Sequence, residues 1–270
     1  MKRFFVRITY YVWSAIELLI GIKNWRNLFC IFFGKPFEGL RWLHLRRNNL
    51  NMGVTSKMEA WSVKESLLDR FYTRYSDPIE EDWTIVDIGA SIGEFTVEAA
   101  LQVPLGRVYA FEPNPGSINI LRHNVRVNNL MNVESHNVGV WKERGEIMLE
   151  IREDDAIHAR SLEIGMESDE TYRRTSIPVI SLKDLIDDVV QGDVDLLKLD
   201  CEGTGHDILM SQNEETFEHI HRIIMEVHEK KPERCASQLI HFFEGLGYQT
   251  RQYPNKVHAH LSYLYAWRAE

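Results

Sequence analysis

The chain has 270 residues, 44% hydrophobic and 26% charged, an ordinary balance for a globular protein long enough to bury a substantial core. Its net charge of −9 is uneven: residues 1–50 hold nine Lys/Arg against two acids, Glu17 and Glu38, and carry +7, which leaves −16 on the rest. The acidic body speaks against nucleic acid as a partner, and three scattered cysteines (Cys30, Cys201, Cys235) speak against a disulfide framework or zinc ribbon and for a reducing, cytoplasmic compartment.

Residues 4–22, FFVRITYYVWSAIELLIGI, are strongly apolar and read as a helix. Spanning a bilayer takes about 20 apolar residues. Here Arg7 and Glu17 interrupt, and a charge at the bilayer centre costs roughly 2.5–3.5 kcal/mol. Spanning is therefore disfavoured, and no small-residue cleavage site marks a signal peptide. The favoured reading packs this helix on the body. The sharper one lays it on the inner face of a membrane, a peripheral contact through residues 1–45 with Lys2, Arg3, Arg7, Lys23 and Arg26 on lipid headgroups.

A second amphipathic helix is expected from Lys57 to Tyr75, where Trp61, Leu68, Phe71, Tyr72 and Tyr75 recur at helical steps. Strands and helices then alternate. Strand Ile85–Ile88 leads to helix Phe95–Leu101, and strand Arg107–Phe111 to a helix from Pro115 to about Asn129, capped by Asn114. Strands Val133–Val138 and Glu146–Ile151 follow, and Arg152–Ser176 reads as a polar loop. Helix Leu182–Val190, strand Asp195–Leu199, helix Asp207–Thr216, strand Arg222–Val227 and helix Glu233–Leu246 come next, then strands Tyr248–Tyr253 and His260–Trp267. This order predicts an α/β fold: a mostly parallel sheet, helices on both faces and an antiparallel edge hairpin. A helical, basic and aromatic extension (1–55) precedes the sheet domain (56–270). Ligands are expected beyond the carboxyl ends of the strands.

Three constellations fall at those ends. The first is VDIGASIGEFT, residues 86–96, a strand–turn–helix with glycines at 89 and 93. A dinucleotide loop needs G-x-G-x-x-G; this one reads G-x-x-x-G, with Asp87 two residues before the first glycine. An ionised Asp87 repels a pyrophosphate and attracts the ammonium and sulfonium of S-adenosylmethionine. Glu112 ends the next strand, where an acid can accept both ribose hydroxyls of a nucleoside. The second constellation is VDLLKLDCEG, with Lys198, Asp200 and Glu202 at a strand end and His206 in the turn; the third is IIMEVHE, with Glu226 and His228. Carboxylates and imidazoles converging from adjacent strands are candidates for a general base. A metal site using His206 and His228 is the weaker reading, since these two do not form an HxH or HxxxH pair on one element, and no metal is assigned. Cys201 reads as a small core residue.

On these stretches, together with VYAFEPNPGSINILRHNVRVNNL, NVGVW and VISLKDLI, the chain resembles the FkbM-type S-adenosylmethionine-dependent methyltransferases over roughly residues 55–267. The resemblance implies a seven-stranded, Rossmann-like methyltransferase sheet and methyl transfer, usually to a hydroxyl, with S-adenosyl-L-methionine as cofactor. It puts Asp87, Gly89, Ala90, Ser91, Gly93, Glu112, Pro113, Asn137, Val138 and Asp200 on the cofactor. Asp200 and Glu202 then line the active site with Glu226 and His228 beside them. On chemical grounds Asp200 or His228 is expected as the base, with Glu202, His206 and Glu226 shaping the pocket. Two departures stand out: Ser91 where the family more often has Asn, and Gly205 where it commonly has a second acid, with His206 next as a substitute. The acceptor implied is a small-molecule, sugar or lipid-linked hydroxyl, with residues 152–176 (His158, Arg160, Tyr172, Arg173, Arg174) as its cover. Rival readings are a non-catalytic binding module on the same fold and, less favoured, a NAD-dependent oxidoreductase.

Overall fold

The computed structural model describes residues 2–34, 39–152, 155–161, 172–201, 203–229, 235–255, 257–258 and 260–268. Its centre is a sheet in the order β12-β13-β11-β10-β3-β4-β5, from β3 (Thr84–Ile88), β4 (Arg107–Phe111), β5 (Val133–His136), β10 (Leu196–Leu199), β11 (Arg222–His228), β12 (Gln249–Pro254) and β13 (Leu261–Trp267). The strands from β5 to β11 run parallel, and β13 pairs antiparallel with both β11 and β12. This is the mostly parallel sheet with an antiparallel edge hairpin that the alternation predicts.

Alternate residues of the central strands enter different cores. Val86, Ile88, Leu197, Leu199, Ile223 and Met225 face one cluster with α7 (Leu182–Asp184), the π segment Leu185–Val190, α8 (Gly205–Met210), α9 (Glu214–Glu218) and α10 (Ala236–Gly245). Ile85, Val108, Leu196 and Ile224 face the other, against α4 (Phe71–Tyr75) and α5 (Glu94–Gln102). Burial on both faces is why these strands read as continuous apolar runs. Helix α6 (Pro115–Val127) starts as expected: Asn114 Oδ1 accepts from Gly116 N at 2.9 Å, and Pro115 occupies the first turn.

Four expectations need correction. The Lys57–Tyr75 helix is broken: α3 (Lys57–Val63) passes into a π segment, Lys64–Leu68, and Arg70 turns left-handed at φ 58° before α4. The π segment begins at Lys64, whose fully buried ammonium is held by Asp69 and lies 3.6 Å from Glu17. The loop Arg152–Ser176 contains β8 (Asp155–Ser161) and the start of β9 (Tyr172–Ser181), which with β6 (Gly139–Trp141) and β7 (Gly145–Arg152) form a second, four-stranded sheet. Among the described residues its buried core is Leu149, Ile177 and Val179. The helix expected over Asp207–Thr216 is two short ones, α8 and α9.

The fourth lies in the extension, where two helices, α1 (Lys2–Gly21) and α2 (Trp25–Phe33), precede an antiparallel hairpin, β1 (Arg41–His44) with β2 (Asn51–Val54). Asn124 of α6 pins that hairpin: its amide bonds Gly53 N and O at 2.7 and 3.2 Å and Ile92 O at 2.9 Å. Leu18, Ile22, Leu28 and Ile31 share one buried cluster with Ile92 and Val97 of the sheet domain.

Candidate active site

The strand order reverses between β3 and β10, and there the ends of the two strands touch. A Cβ on Gly89 (φ +73°) would lie 1.9 Å from the Asp200 carbonyl oxygen, so only glycine permits this approach. Asp87 and Lys198 are register partners on the two strands. Their side chains form an ion pair of 2.8 Å with both groups out of solvent. Thr96 Oγ1 also donates to Asp87, at 2.6 Å, and the Lys198 ammonium donates to the Gly89 carbonyl at 2.9 Å. Burial opposes the charge on Lys198, but Asp87 and Asp200 outweigh it and raise its pKa above the ordinary value. Asp87 is therefore not an acid open to the crevice. Its charge is compensated, and it acts on the loop through Lys198; the repulsion of a pyrophosphate expected from it loses its force.

Glu112 closes the other side of the loop. Its two carboxylate oxygens accept from Ser91 N and Asn114 N, both at 2.8 Å. Burial pushes its carboxyl up to about 7 against those two donors. Asn137 donates to the Glu112 and Pro113 carbonyls at 2.9 and 3.0 Å, tying the turn after β4 to the end of β5. Ala90 is buried with Ala110, Ile118 and Leu121, and Val138 packs on the main core. Gly93 (φ +87°) caps α5, and a Cβ there would meet Leu121 Cγ at 2.8 Å. It lets α6 close on the loop.

Asp200, Glu226 and His228 come together at the ends of β10 and β11. Each offers one donor atom within 4.8 Å of the others. His228 Nε2 lies 2.9 Å from Glu226 Oε1. Burial raises the Glu226 pKa, while His228 and the Tyr263 hydroxyl bonded to it pull the other way. Tyr72 of α4 donates to Asp200 Oδ2 at 2.6 Å. Such a set can take up a proton, and its donor types also suit a divalent cation.

One expected member stands apart, and one is not among the described residues. His206 faces α10, with Nε2 3.1 Å from Gln238 Oε1, so the group assembles without it. Glu202 lies outside the described residues. Gly205, in place of the family's second acid, sits on the core: a Cβ there would meet Met225 Cε at 3.2 Å and Leu199 Cβ at 3.9 Å. Burial raises the Cys201 thiol to about 12, in keeping with a core residue rather than a nucleophile. Of the expected acceptor cover, the side chains of His158, Arg160, Tyr172 and Arg173 lie outside the described residues, and Arg174 is exposed on β9.

Tyr72 and Tyr263 were not foreseen as site residues. Both sit in apolar patterns that mark core aromatics, and only the acids opposite their hydroxyls distinguish them. Lys198 was visible among strand-end charges; its pairing follows from strand register.

A model of the "Methyltransferase FkbM domain" matches residues 87–254. "Methyltransferase 1" of Beauveria bassiana (strain ARSEF 2860) is 27% identical over 193 residues, 66% of this chain and 76% of that protein. "Methyltransferase sdnD" of Sordaria araneosa is 25% identical over 231 residues, 76% of this chain and 88% of its own length. Among solved structures, the putative transferase PH0793 of Pyrococcus horikoshii shares the fold with a TM-score of 0.51 at 12% identity, over 91% of this chain and 82% of that one. Methyltransferase FkbM from Methylobacillus flagellatus KT has a TM-score of 0.49 at 17% identity over 73% of this chain, which spans 46% of that protein. The matched span runs from Asp87 in the first central strand to the end of β12 and so contains the glycine loop, Glu112 and the Asp200–Glu226–His228 group: the chain belongs to the FkbM family of S-adenosylmethionine-dependent methyltransferases.

Proposed function

We propose that the chain is an O-methyltransferase that methylates a hydroxyl on a small-molecule, sugar or lipid-linked acceptor. The observation that carries this reading is the Glu226–His228 pair beside Asp200, one strand end away from the Gly89 loop. Two features support S-adenosylmethionine at this loop: Gly89 lets the β3 turn close against the Asp200 backbone and so shapes the loop, and Glu112, at the end of β4, is an acid able to accept from ribose hydroxyls. Bound there, the cofactor supplies a methyl carbon on a sulfonium, already a good leaving group.

The chain's residues do the rest. They align the acceptor oxygen with the methyl carbon, and such positioning supplies roughly 7–11 kcal/mol. His228 would take the acceptor's hydroxyl proton as its oxygen gains the methyl group, and Glu226 would steady the imidazolium. Asp200 is the weaker base of the two candidates, because its carboxylate already accepts from Tyr72. It orients the acceptor instead.

The test is transfer of a labelled methyl group to a panel of hydroxyl acceptors, with calorimetry for the cofactor. His228→Gln is expected to lower turnover by roughly 10²–10⁴-fold with cofactor affinity retained. Cofactor bound by the unaltered chain but no transfer to any acceptor sinks the enzyme reading and leaves a binding module. Turnover lost on chelation and restored by a divalent ion moves the Asp200–Glu226–His228 group from base to metal site.

A further inference from the structure

The extension turns an apolar face outward. Among the described residues fourteen large hydrophobic side chains are exposed, and nine of them lie between Tyr11 and Phe33. On α1 these include Trp13 (60% exposed), Leu19 and Ile20 (67%); on α2 they include Trp25, Phe29 (63%) and Phe33 (77%). Isolated exposed apolar residues are ordinary, whereas a concentrated patch marks an interaction surface.

Both helices are seated on the body by their other faces. Leu18 and Ile22 of the first segment and Leu28 and Ile31 of the second enter the same buried cluster. Tyr10 adds a hydrogen bond to Asp69 at 3.0 Å. With the inner faces fixed in one cluster, the outer faces of both helices look away from the body. The Phe29 and Phe33 rings lie together, 5.0 Å apart.

Charge identifies the occupant. Lys23 and Arg26 are exposed in the turn joining the helices and at the start of α2, with Arg26 over the Trp25 ring at 5.7 Å. Of the two acids in the first fifty residues, Glu17 lies 3.6 Å from the buried Lys64 ammonium. A face that is aromatic, aliphatic and basic complements an anionic lipid surface, which takes apolar groups at the acyl boundary and cations at the headgroups. The acidic remainder of the chain, at −16, is repelled by the same surface, which sets the orientation. No helix among the described residues is long and apolar enough to cross a membrane. We propose that the outer face of α1 and α2 docks the protein on an anionic lipid bilayer, lying in the interface without spanning it.

Sedimentation of the full chain with vesicles tests this, using phosphatidylcholine alone against phosphatidylcholine mixed with phosphatidylglycerol. Binding is expected to the anionic vesicles, weaker to the neutral ones, and to fall as salt rises. Lys23→Gln with Arg26→Gln should weaken the anionic partition about 30-fold. Phe29→Glu with Phe33→Glu should abolish it, while Leu105→Glu, at an exposed apolar residue of the body, leaves it unchanged. No sedimentation, or sedimentation indifferent to the α2 substitutions, overturns the proposal. So does a dimer in free solution that Phe29→Glu with Phe33→Glu dissolves, because the face then belongs to a second copy.

Discussion

The Lys198 ammonium lies 2.8 Å from the Asp87 carboxylate beneath the glycine loop, a cross-strand pair at the point where the sheet reverses its order. Removing one partner strands a buried charge, so Asp87→Ala should cost about 3–5 kcal/mol of stability. Replacing the pair together, Asp87→Leu with Lys198→Met, should recover most of that in denaturant unfolding. Cofactor affinity should stay low in the double variant, since the Gly89 carbonyl has lost its donor. Restored affinity in calorimetry would show that the pair serves stability alone. The pair also has an alkaline signature. The Lys198 pKa is raised above the ordinary 10.5, so its stabilisation is full below that pH and is lost as pH climbs through the higher folded value.

On the proposed ribose contact, Glu112 should make cofactor binding pH-dependent. Its ordinary value of 4.5 rises to about 7 in the fold. The folded state therefore holds the proton more tightly, and this group's contribution to stability falls as pH rises from 4.5 to about 7. Binding runs the other way, because accepting from two ribose hydroxyls needs the carboxylate. The cofactor Kd should rise by up to about tenfold per unit below pH 7 and level off above it. Glu112→Gln should bind weakly with a flat profile. A wild-type profile equally flat removes Glu112 from the ribose contact.

What could be read from the sequence followed from periodicity. Strands buried on both faces show as apolar runs, and Asn114–Pro115 announces its helix. Periodicity does not detect the π segment at Lys64, because the apolar spacing survives while the backbone shifts. It also misses β1 and β2, each four residues long, and β8, in a sheet whose described core is the small cluster Leu149, Ile177 and Val179. In the site, strand ends gather residues reliably, as with Asp200, Glu226 and His228. A helix start does not: His206 follows the same strand as Asp200, yet its place on α8 aims it at Gln238. Tyr72 was read correctly as helical and apolar, but its hydroxyl partner comes from a strand 128 residues away, which spacing cannot reveal.

The two loop glycines should differ in kind. A Cβ at 89 meets backbone, 1.9 Å from the Asp200 oxygen, whereas one at 93 meets the Leu121 side chain at 2.8 Å. Each alanine bears a backbone cost of about 1–3 kcal/mol for its positive φ. Gly89→Ala must in addition part β3 from β10 and should abolish cofactor binding. Gly93→Ala should be partly relieved by Leu121→Ala, so that the second change costs less in that background than alone. Thermal unfolding and calorimetry on the four variants measure this; additive costs at 93 and 121 would contradict the contact.

Tyr72 and Tyr263 hold Asp200 and Glu226 from the α4 side of the sheet. Phenylalanine at either position keeps the ring packing and removes only the hydroxyl. A hydrogen bond to a charged group is worth about 1.5–3 kcal/mol, which sets the expected loss of stability. The kinetic consequences should separate. Tyr72→Phe frees Asp200 to move, so the acceptor KM should rise with cofactor affinity unchanged. Tyr263→Phe loosens Glu226 and with it His228, so kcat should fall while KM holds. Both residues are positioning residues in this account, and the split between KM and kcat is what a purely structural role would not produce. If the two variants lose activity only in proportion to folded protein, measured by unfolding under assay conditions, the tyrosines support the core and not the chemistry.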